Sequence, residues 1–157
     1  MALKTRLTDL LNVQHPIMLA GMGGVSYAEV CAAMCNAGGY GVLGMAGTSP
    51  QFIAGQMKKV RELTDKPFGV DLLAASPESL EESVDVIIQG GADSFVAGLG
   101  VPLPIMARLK AAGVKVMVVG GAVGLRHHAI YRTGRGDPLR RPCACGARTG
   151  DDCGRLP

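Results

Sequence analysis

The sequence contains no tryptophan, and aromatic residues make up only 4% of it, whereas 48% of its residues are hydrophobic. The core must therefore be built from aliphatic and small side chains, and disorder along the whole chain is excluded. No apolar run approaches the roughly 18 residues that span a bilayer, and the first residues lack the apolar segment of a signal peptide. These absences predict a globular protein without membrane contact, located in the cytoplasm.

Short apolar runs alternate with longer segments of helical period between residues 16 and 120. This alternation is typical of repeated β-α units and a parallel sheet whose strands are buried on both faces. Strands are predicted at 16–22, 39–44, 68–73, 94–98 and 115–119, and helices at 27–36, 50–63, 77–89 and 102–112.

Serine and proline mark the predicted helix starts. Ser26 is predicted to cap the first helix, with Glu29 completing a capping box. Ser49 before a proline predicts the start of the second helix, whose inner face is expected to carry Val60 and Leu63. Ser76 is predicted to cap the third in the same way.

Ligands of parallel α/β folds bind where the strands end, so the residues that follow each strand are the candidate site. Four of the five such segments are rich in glycine, which lets a flat ring or an anion approach the backbone closely. The same glycines could serve only to make tight turns. The candidate segments are 21–24, 45–48, 71–74, 98–100 and 120–121.

Four segments, taken in order, carry a resemblance to a known family. Residues 15–26 (His-Pro-Ile-Met-Leu-Ala-Gly-Met-Gly-Gly-Val-Ser) and 36–44 resemble the opening of the nitronate monooxygenases, once called 2-nitropropane dioxygenases. Residues 67–73 and 115–123 resemble the third and fifth strands of that family. The resemblance covers about residues 4–123 and implies the first five strands of an FMN-binding TIM (β/α)8 barrel.

The resemblance also implies a flavin site. The backbone of Ala20, Gly21 and Met22 is expected to lie against the flavin ring, and Gly120 is a further expected cofactor contact. Asp71 occupies the third-strand position that hydrogen-bonds the ring edge, where many members carry asparagine. A carboxylate only accepts hydrogen bonds when ionised, so this contact is altered. Alternatively, Asp71 is a core acid paired with a nearby N–H.

The implied activity is that of an FMN-dependent oxidoreductase acting on a small molecule. Electrons would come from an alkyl nitronate or NAD(P)H and pass to oxygen or an enoyl substrate. The family's catalytic histidine, in a Gly-Gly-His-x-Gly segment, has no counterpart, and His127 and His128 lack the flanking glycines. No catalytic residue is therefore assigned. The alternatives are an FMN-dependent enoyl-acyl-carrier-protein reductase, an IMP dehydrogenase relative, and a non-catalytic fragment or interaction module.

The length of 157 residues falls short of the roughly 250 that a closed barrel takes. The barrel is therefore expected to be truncated after about five strands and to lack the loops after strands seven and eight that usually hold a phosphate. Weak cofactor affinity and impaired activity are expected. Open sheet edges are expected to promote self-association.

Residues 124–157 differ from the rest of the chain. They contain seven arginines, no lysine and three aspartates, whereas residues 1–120 contain nine basic and ten acidic residues. This composition is typical of a GC-rich gene read out of frame, so we interpret the tail as a disordered frameshift or truncation product. An arginine arm that binds phosphate, nucleic acid or an acidic partner is a less favoured alternative.

The five cysteines predict no metal site. Cys143, Cys145 and Cys153, even with the histidine pair, match no common zinc spacing. Cys31 and Cys35 lie one helical turn apart and are interpreted as small buried hydrophobic residues.

Overall fold

The computed structural model of the chain describes residues 3–73, 77–98 and 103–119. From residue 28 onward helices and strands alternate, as the apolar periodicity predicts. Gly120, the cap at Ser76, the histidine pair, the three tail cysteines and the whole of 124–157 lie outside the described residues. The elements are α1 (Arg6–Leu11), α2 (Ala28–Asn36), β1 (Gly41–Gly44), α3 (Pro50–Leu63), β2 (Phe68–Leu73), α4 (Pro77–Gln89), β3 (Ser94–Gly98), α5 (Leu103–Ala111) and β4 (Lys115–Val118).

The four strands form one parallel sheet in the order β1-β2-β3-β4. Consecutive strands are neighbours, and a helix precedes each of β2, β3 and β4, so the described sheet is built from successive β-α units. The predicted strands 68–73 and 94–98 are confirmed at both ends. Those predicted at 39–44 and 115–119 form with shorter bounds.

The strand predicted at 16–22 is wrong. Only a single parallel bridge, between Met18 and Tyr40, joins this segment to the sheet. The Leu19 N–H donates to the Tyr40 carbonyl and the Tyr40 N–H to the Ile17 carbonyl, both at 2.9 Å. Beyond this bridge the chain lies over the end of β1, where the backbone of Met22 contacts Gly44 and cannot continue a ladder. The described sheet therefore has four strands and one bridged segment rather than five strands.

Two hydrophobic clusters cover the two faces of the sheet. The larger one lies between the strands and helices α2 to α5 and includes Phe68, Val70 and Phe95. The smaller one lies on the opposite face, which we call the inner face, and consists of Leu11, Tyr40, Val42, Val96 and Met117. Side chains alternate between faces along a strand, so Asp71, in register with Val96, belongs to the inner face.

Helix α1 was not predicted, although its start carries a local signal. The Thr5 Oγ1 accepts the Thr8 N–H at 3.3 Å, and the Thr8 Oγ1 accepts the Thr5 N–H at 2.9 Å. This reciprocal pair is a capping box with threonine at both positions. Leu11, at the end of the helix, is buried in the inner-face cluster.

The predicted start of α3 is confirmed. The Ser49 Oγ accepts the Phe52 N–H at 3.3 Å, and the proline that follows Ser49 opens the helix. Val60 is buried as expected, but Leu63 is 50% exposed, so its predicted inward position is wrong. At 100° per residue, Leu63 lies roughly 70° from the middle of the buried stripe, which the helix presents along Ile53, Gln56, Met57 and Val60.

The predicted cap of α2 is also wrong, because Tyr27 is the N-cap and its side chain makes no capping bond. The Ala28 N–H, which has no acceptor within its own helix, instead donates to the buried side chain of Gln56 on α3, whose Oε1 lies 2.9 Å away. The cap of α2 thus comes from a residue 28 positions away.

Replacing Gln56 by methionine is expected to destabilise the chain by about 1–3 kcal/mol, because the buried Ala28 N–H would lose its acceptor. Urea unfolding followed by circular dichroism measures this loss. Gln51→Met, on the exposed face of the same helix, is the matched control and should change stability little. Equal effects of the two substitutions would contradict the capping role of Gln56.

Cys31 and Cys35 are free thiols with 0% and 1% exposure, which confirms their interpretation as buried residues. The Cys35 Sγ lies 3.4 Å from the Pro67 carbonyl, which accepts its weak hydrogen bond. Among the described helices, none is long and apolar enough to cross a membrane.

Candidate functional site

The carboxyl ends of the strands meet the loop 20–26 at one edge of the sheet. Three glycines at this edge, Gly21, Gly44 and Gly98, let main chain and side chain approach closely. A methyl group placed on Gly44 would lie 2.5 Å from both N and C of Met22. No side chain larger than hydrogen fits there, so the loop packs directly on the end of β1.

Asp71 projects from the inner face of β2 between two of these glycines. A methyl group on Gly21 would overlap the Asp71 side chain, lying 2.6 Å from its Cγ, and one on Gly98 would lie 3.4 Å from its Oδ1. The Asp71 carboxyl is therefore flanked on both sides by bare backbone. The close contact of Gly21 with Asp71 joins two of the residues that the sequence nominated for cofactor binding.

The Asp71 carboxyl has an unusual environment. Its Oδ1 is buried, and no described residue donates a hydrogen bond to it. Burial raises the pKa of Asp71 to about 6, because an ionised carboxylate loses solvation there. The alternative that Asp71 is a core acid paired with a nearby N–H is thus not met among the described residues.

The loop residues Ala20, Gly21 and Met22 are all at least partly exposed. The Met22 backbone is committed internally: its N–H donates to the Ser26 Oγ at 2.6 Å, and its carbonyl accepts the N–H groups of Val25 and Ser26. No hydrogen bond of the Ala20 or Gly21 N–H is present within the described part of the chain. The Ala20 and Gly21 N–H groups can therefore donate hydrogen bonds to a ligand, whereas Met22 can make only van der Waals contact through its side chain.

The structure brings together some of the predicted residues and adds others. Gly21, Met22 and Asp71 meet at one edge, Ala20 precedes them on the same loop, and Gly120 is outside the described residues. Gly44 and Ser26 were missed as site residues. The last residue of a buried strand rarely needs to be glycine, so Gly44 carried a signal, whereas Ser26 was misread because it precedes a helix.

This edge suits a flat ligand with a hydrogen-bond donor at its rim. The N–H groups of Ala20 and Gly21 are unbonded, and the Asp71 Oδ1 is a buried acceptor without a donor, among the described residues. The imide N–H of a flavin ring is such a donor, so the residues present fit the group that the resemblance implies.

Comparison with known proteins gives the same family. A family model described as nitronate monooxygenase matches residues 4–147. This match covers most of the chain and runs past residue 123, where the resemblance seen in the segments ends.

Curated relatives match with moderate identity. A protein of Mycobacterium tuberculosis named (3aS,4S,5R,7aS)-5-hydroxy-7a-methyl-1-oxo-octahydro-1H-indene-4-carboxyl-CoA dehydrogenase is 36% identical over 129 residues, covering 82% of this chain and 35% of the relative. A probable nitronate monooxygenase of Staphylococcus saprophyticus is 41% identical over 86 residues, covering 52% of this chain and 24% of the relative. The chain thus spans about a third or less of the length of these relatives.

Solved structures match the described sheet. FabK from Thermotoga maritima superimposes with a TM-score of 0.72 and 34% identity, over 76% of this chain and 38% of that one. A nitroalkane oxidase from Streptomyces ansochromogenes gives a TM-score of 0.63 and 28% identity, over 73% and 42% of the two chains. The predicted fold class, part of a TIM (β/α)8 barrel, is confirmed.

Proposed function

The chain belongs to the nitronate monooxygenase family, and from this premise we propose that it forms the flavin-ring side of an FMN-dependent oxidoreductase. The first proposed substrate is an alkyl nitronate, which would be oxidised with oxygen as the electron acceptor. The observation that supports the site is the carboxyl of Asp71, flanked by the backbone of Gly21 and Gly98 and with an unbonded buried Oδ1.

The chain's own residues have separate roles in this proposal. Asp71 would accept the N–H at the ring edge, Gly21 would allow the ring to approach the loop, and the Met22 side chain, 41% exposed, would line the ligand surface. When bound, FMN supplies the redox chemistry, taking electrons from the substrate and delivering them to the acceptor. The protein residues would orient the flavin ring and exclude water from it. None of the described residues is assigned as an acid or base.

A carboxyl-CoA thioester is the second candidate substrate. The match to the CoA dehydrogenase of M. tuberculosis covers 82% of the chain, whereas the match to the S. saprophyticus monooxygenase covers 52%. The loop Ala20-Gly21-Met22 fits an FMN-dependent enoyl-acyl-carrier-protein reductase nearly as well as a monooxygenase, which is in keeping with an acyl-thioester substrate as well. Fold alone does not choose between these chemistries, because the barrel hosts many.

The binding proposal is tested by titrating the purified chain with FMN and following the flavin absorbance band. Saturable binding with a perturbed band is expected. Gly21→Ala should weaken binding by about tenfold or more, because the added methyl overlaps Asp71 and displaces its carboxyl. Gly23→Ala, in the same loop but with no atom near the added methyl, is the matched control and should bind as the parent chain does.

Riboflavin, which has no phosphate, separates ring contacts from phosphate contacts. If the residues around Asp71 carry the affinity, riboflavin should bind about as well as FMN. Absence of saturable binding by both flavins would refute the proposed cofactor. Equal loss in the Gly21 and Gly23 variants would refute the assigned contact while leaving the cofactor in place.

The two substrate classes are distinguished by assays on the same FMN-loaded chain. Oxygen consumption that depends on an alkyl nitronate would support the first candidate. Reduction of the bound flavin by a hydroxylated cyclic carboxyl-CoA, without response to nitronate, would support the second. Self-association through open sheet edges and a cytoplasmic location stay predictions, to be measured by sedimentation and by fractionation.

A further inference from the structure

Ser26 is a buried serine, 0% exposed, whose side chain turns away from the helix that it precedes. Its Oγ accepts the Met22 N–H at 2.6 Å and donates to the Met22 carbonyl at 3.0 Å. One hydroxyl therefore bonds both polar backbone groups of Met22. Because a hydroxyl has one donor and two acceptor sites, this arrangement uses its single proton.

The backbone of Ser26 ties the same loop to the sheet. The Ser26 carbonyl accepts the Gly44 N–H at 3.0 Å, at the last residue of β1. Gly44 in turn has Met22 packed directly against its α-carbon. Loop and strand end are thus joined by a closed set of contacts among Met22, Ser26 and Gly44.

Fixing Met22 also affects its neighbour Gly21, which belongs to the candidate site. Gly21 contacts the Asp71 side chain, and it is bonded covalently to Met22, the residue that Ser26 fixes. The Gly21 N–H has no partner among the described residues, so no hydrogen bond of its own holds it there. The position of Gly21 against Asp71 depends on how Met22 is held.

We propose that Ser26 is a positioning residue, which holds Met22 on the end of β1 and thereby keeps Gly21 against Asp71 in a geometry ready for the ligand. This inference rests on the proposed function where it concerns FMN. Loss of the Ser26 hydroxyl would let the loop 20–25 sample other conformations, and only the fraction in the competent one would bind.

Ser94 offers a matched control. It is also a buried serine, 0% exposed, and its Oγ lies 2.7 Å from the Tyr40 hydroxyl in a buried hydrogen bond. Ser94 is the first residue of β3, so it lies at the end of the sheet opposite to the candidate site. Ser94→Ala therefore removes a buried serine hydrogen bond without touching the loop.

The experiment compares FMN affinity and amide hydrogen exchange in Ser26→Ala and Ser94→Ala of the full chain. Ser26→Ala is expected to weaken FMN binding about tenfold and to speed exchange of the Met22 amide, whose acceptor it removes. Ser94→Ala should leave the affinity within about twofold and the Met22 exchange unchanged. Ser26→Cys, which keeps a weak donor and acceptor, should recover part of the affinity and serves if the alanine variant does not fold.

Equal changes of affinity in Ser26→Ala and Ser94→Ala would overturn the proposal, since both would then act only through stability. Unchanged exchange at Met22 in Ser26→Ala would overturn it as well. If the parent chain binds no FMN, the proposed function fails, and the exchange measurement alone decides whether Ser26 holds the loop.

Discussion

Gly44→Ala is expected to destabilise the chain by about 3 kcal/mol or more and to abolish FMN binding. The added methyl would lie 2.5–2.6 Å from three backbone atoms of Met22, and backbone held by Ser26 cannot rotate aside as a side chain could. Overpacking of this kind usually costs 1–3 kcal/mol, and a rigid neighbour places it at the upper end. Urea unfolding and flavin titration measure the two effects.

Gly55→Ala is the matched control for this substitution. Gly55 lies within α3, is exposed and has no atom near an added methyl, so alanine should stabilise the helix by about 0.5–1 kcal/mol. The same chemical change is thus expected to act with opposite sign at the two positions. A Gly44→Ala variant as stable as the parent chain would mean that the loop does not pack on β1.

Asp71→Asn is expected to stabilise the chain above pH 6. It is also expected to reduce the change of unfolding free energy with pH between about pH 4 and about pH 6. The folded pKa is raised to about 6 from an ordinary value of 3.8, so between these values the folded chain binds more protons than the unfolded chain. Stability therefore falls as pH rises from about 4 to about 6, and the whole deficit is present above that. Because the carboxyl is only partly buried, the deficit is about 1–2 kcal/mol rather than the full value of the shift.

Asparagine removes this deficit because it stays neutral at every pH. We expect a gain of about 1–2 kcal/mol at pH 7.5 that vanishes below about pH 4. Thermal unfolding across this range measures the difference, and Asp65→Asn, at an exposed position, is the control expected to leave the profile unchanged. Parallel profiles for Asp71→Asn and the parent chain would show that the Asp71 carboxyl is not the group that titrates.

The Asp71→Asn variant also tests the departure from the family pattern. An amide accepts and donates at once, so it can meet either an N–H or a carbonyl at a ring edge. FMN affinity at pH 7.5 should therefore be at least as high as in the parent chain. A large loss would mean that the negative charge itself is needed for the contact.

The sequence by itself determined the alternation of helices and strands from α2 to β4. The apolar runs at 68–73 and 94–98 and the Ser49 cap act through neighbours within a few residues, so their signals are local and are confirmed in the structure. The sequence also nominated Gly21 and Asp71 through the resemblance, because their spacing after strands is a one-dimensional property.

Only the tertiary structure decided the contacts between distant segments. Gln56 rather than Ser26 bonds the start of α2, the segment 16–22 keeps one bridge in place of a ladder, and Gly21 lies against Asp71 although 50 positions separate them. Each of these outcomes depends on which distant backbone or side-chain group lies within contact distance of a buried polar group or an open space in the folded chain. That choice is made when the sheet and loop pack together, and no periodicity or cap in the sequence records it.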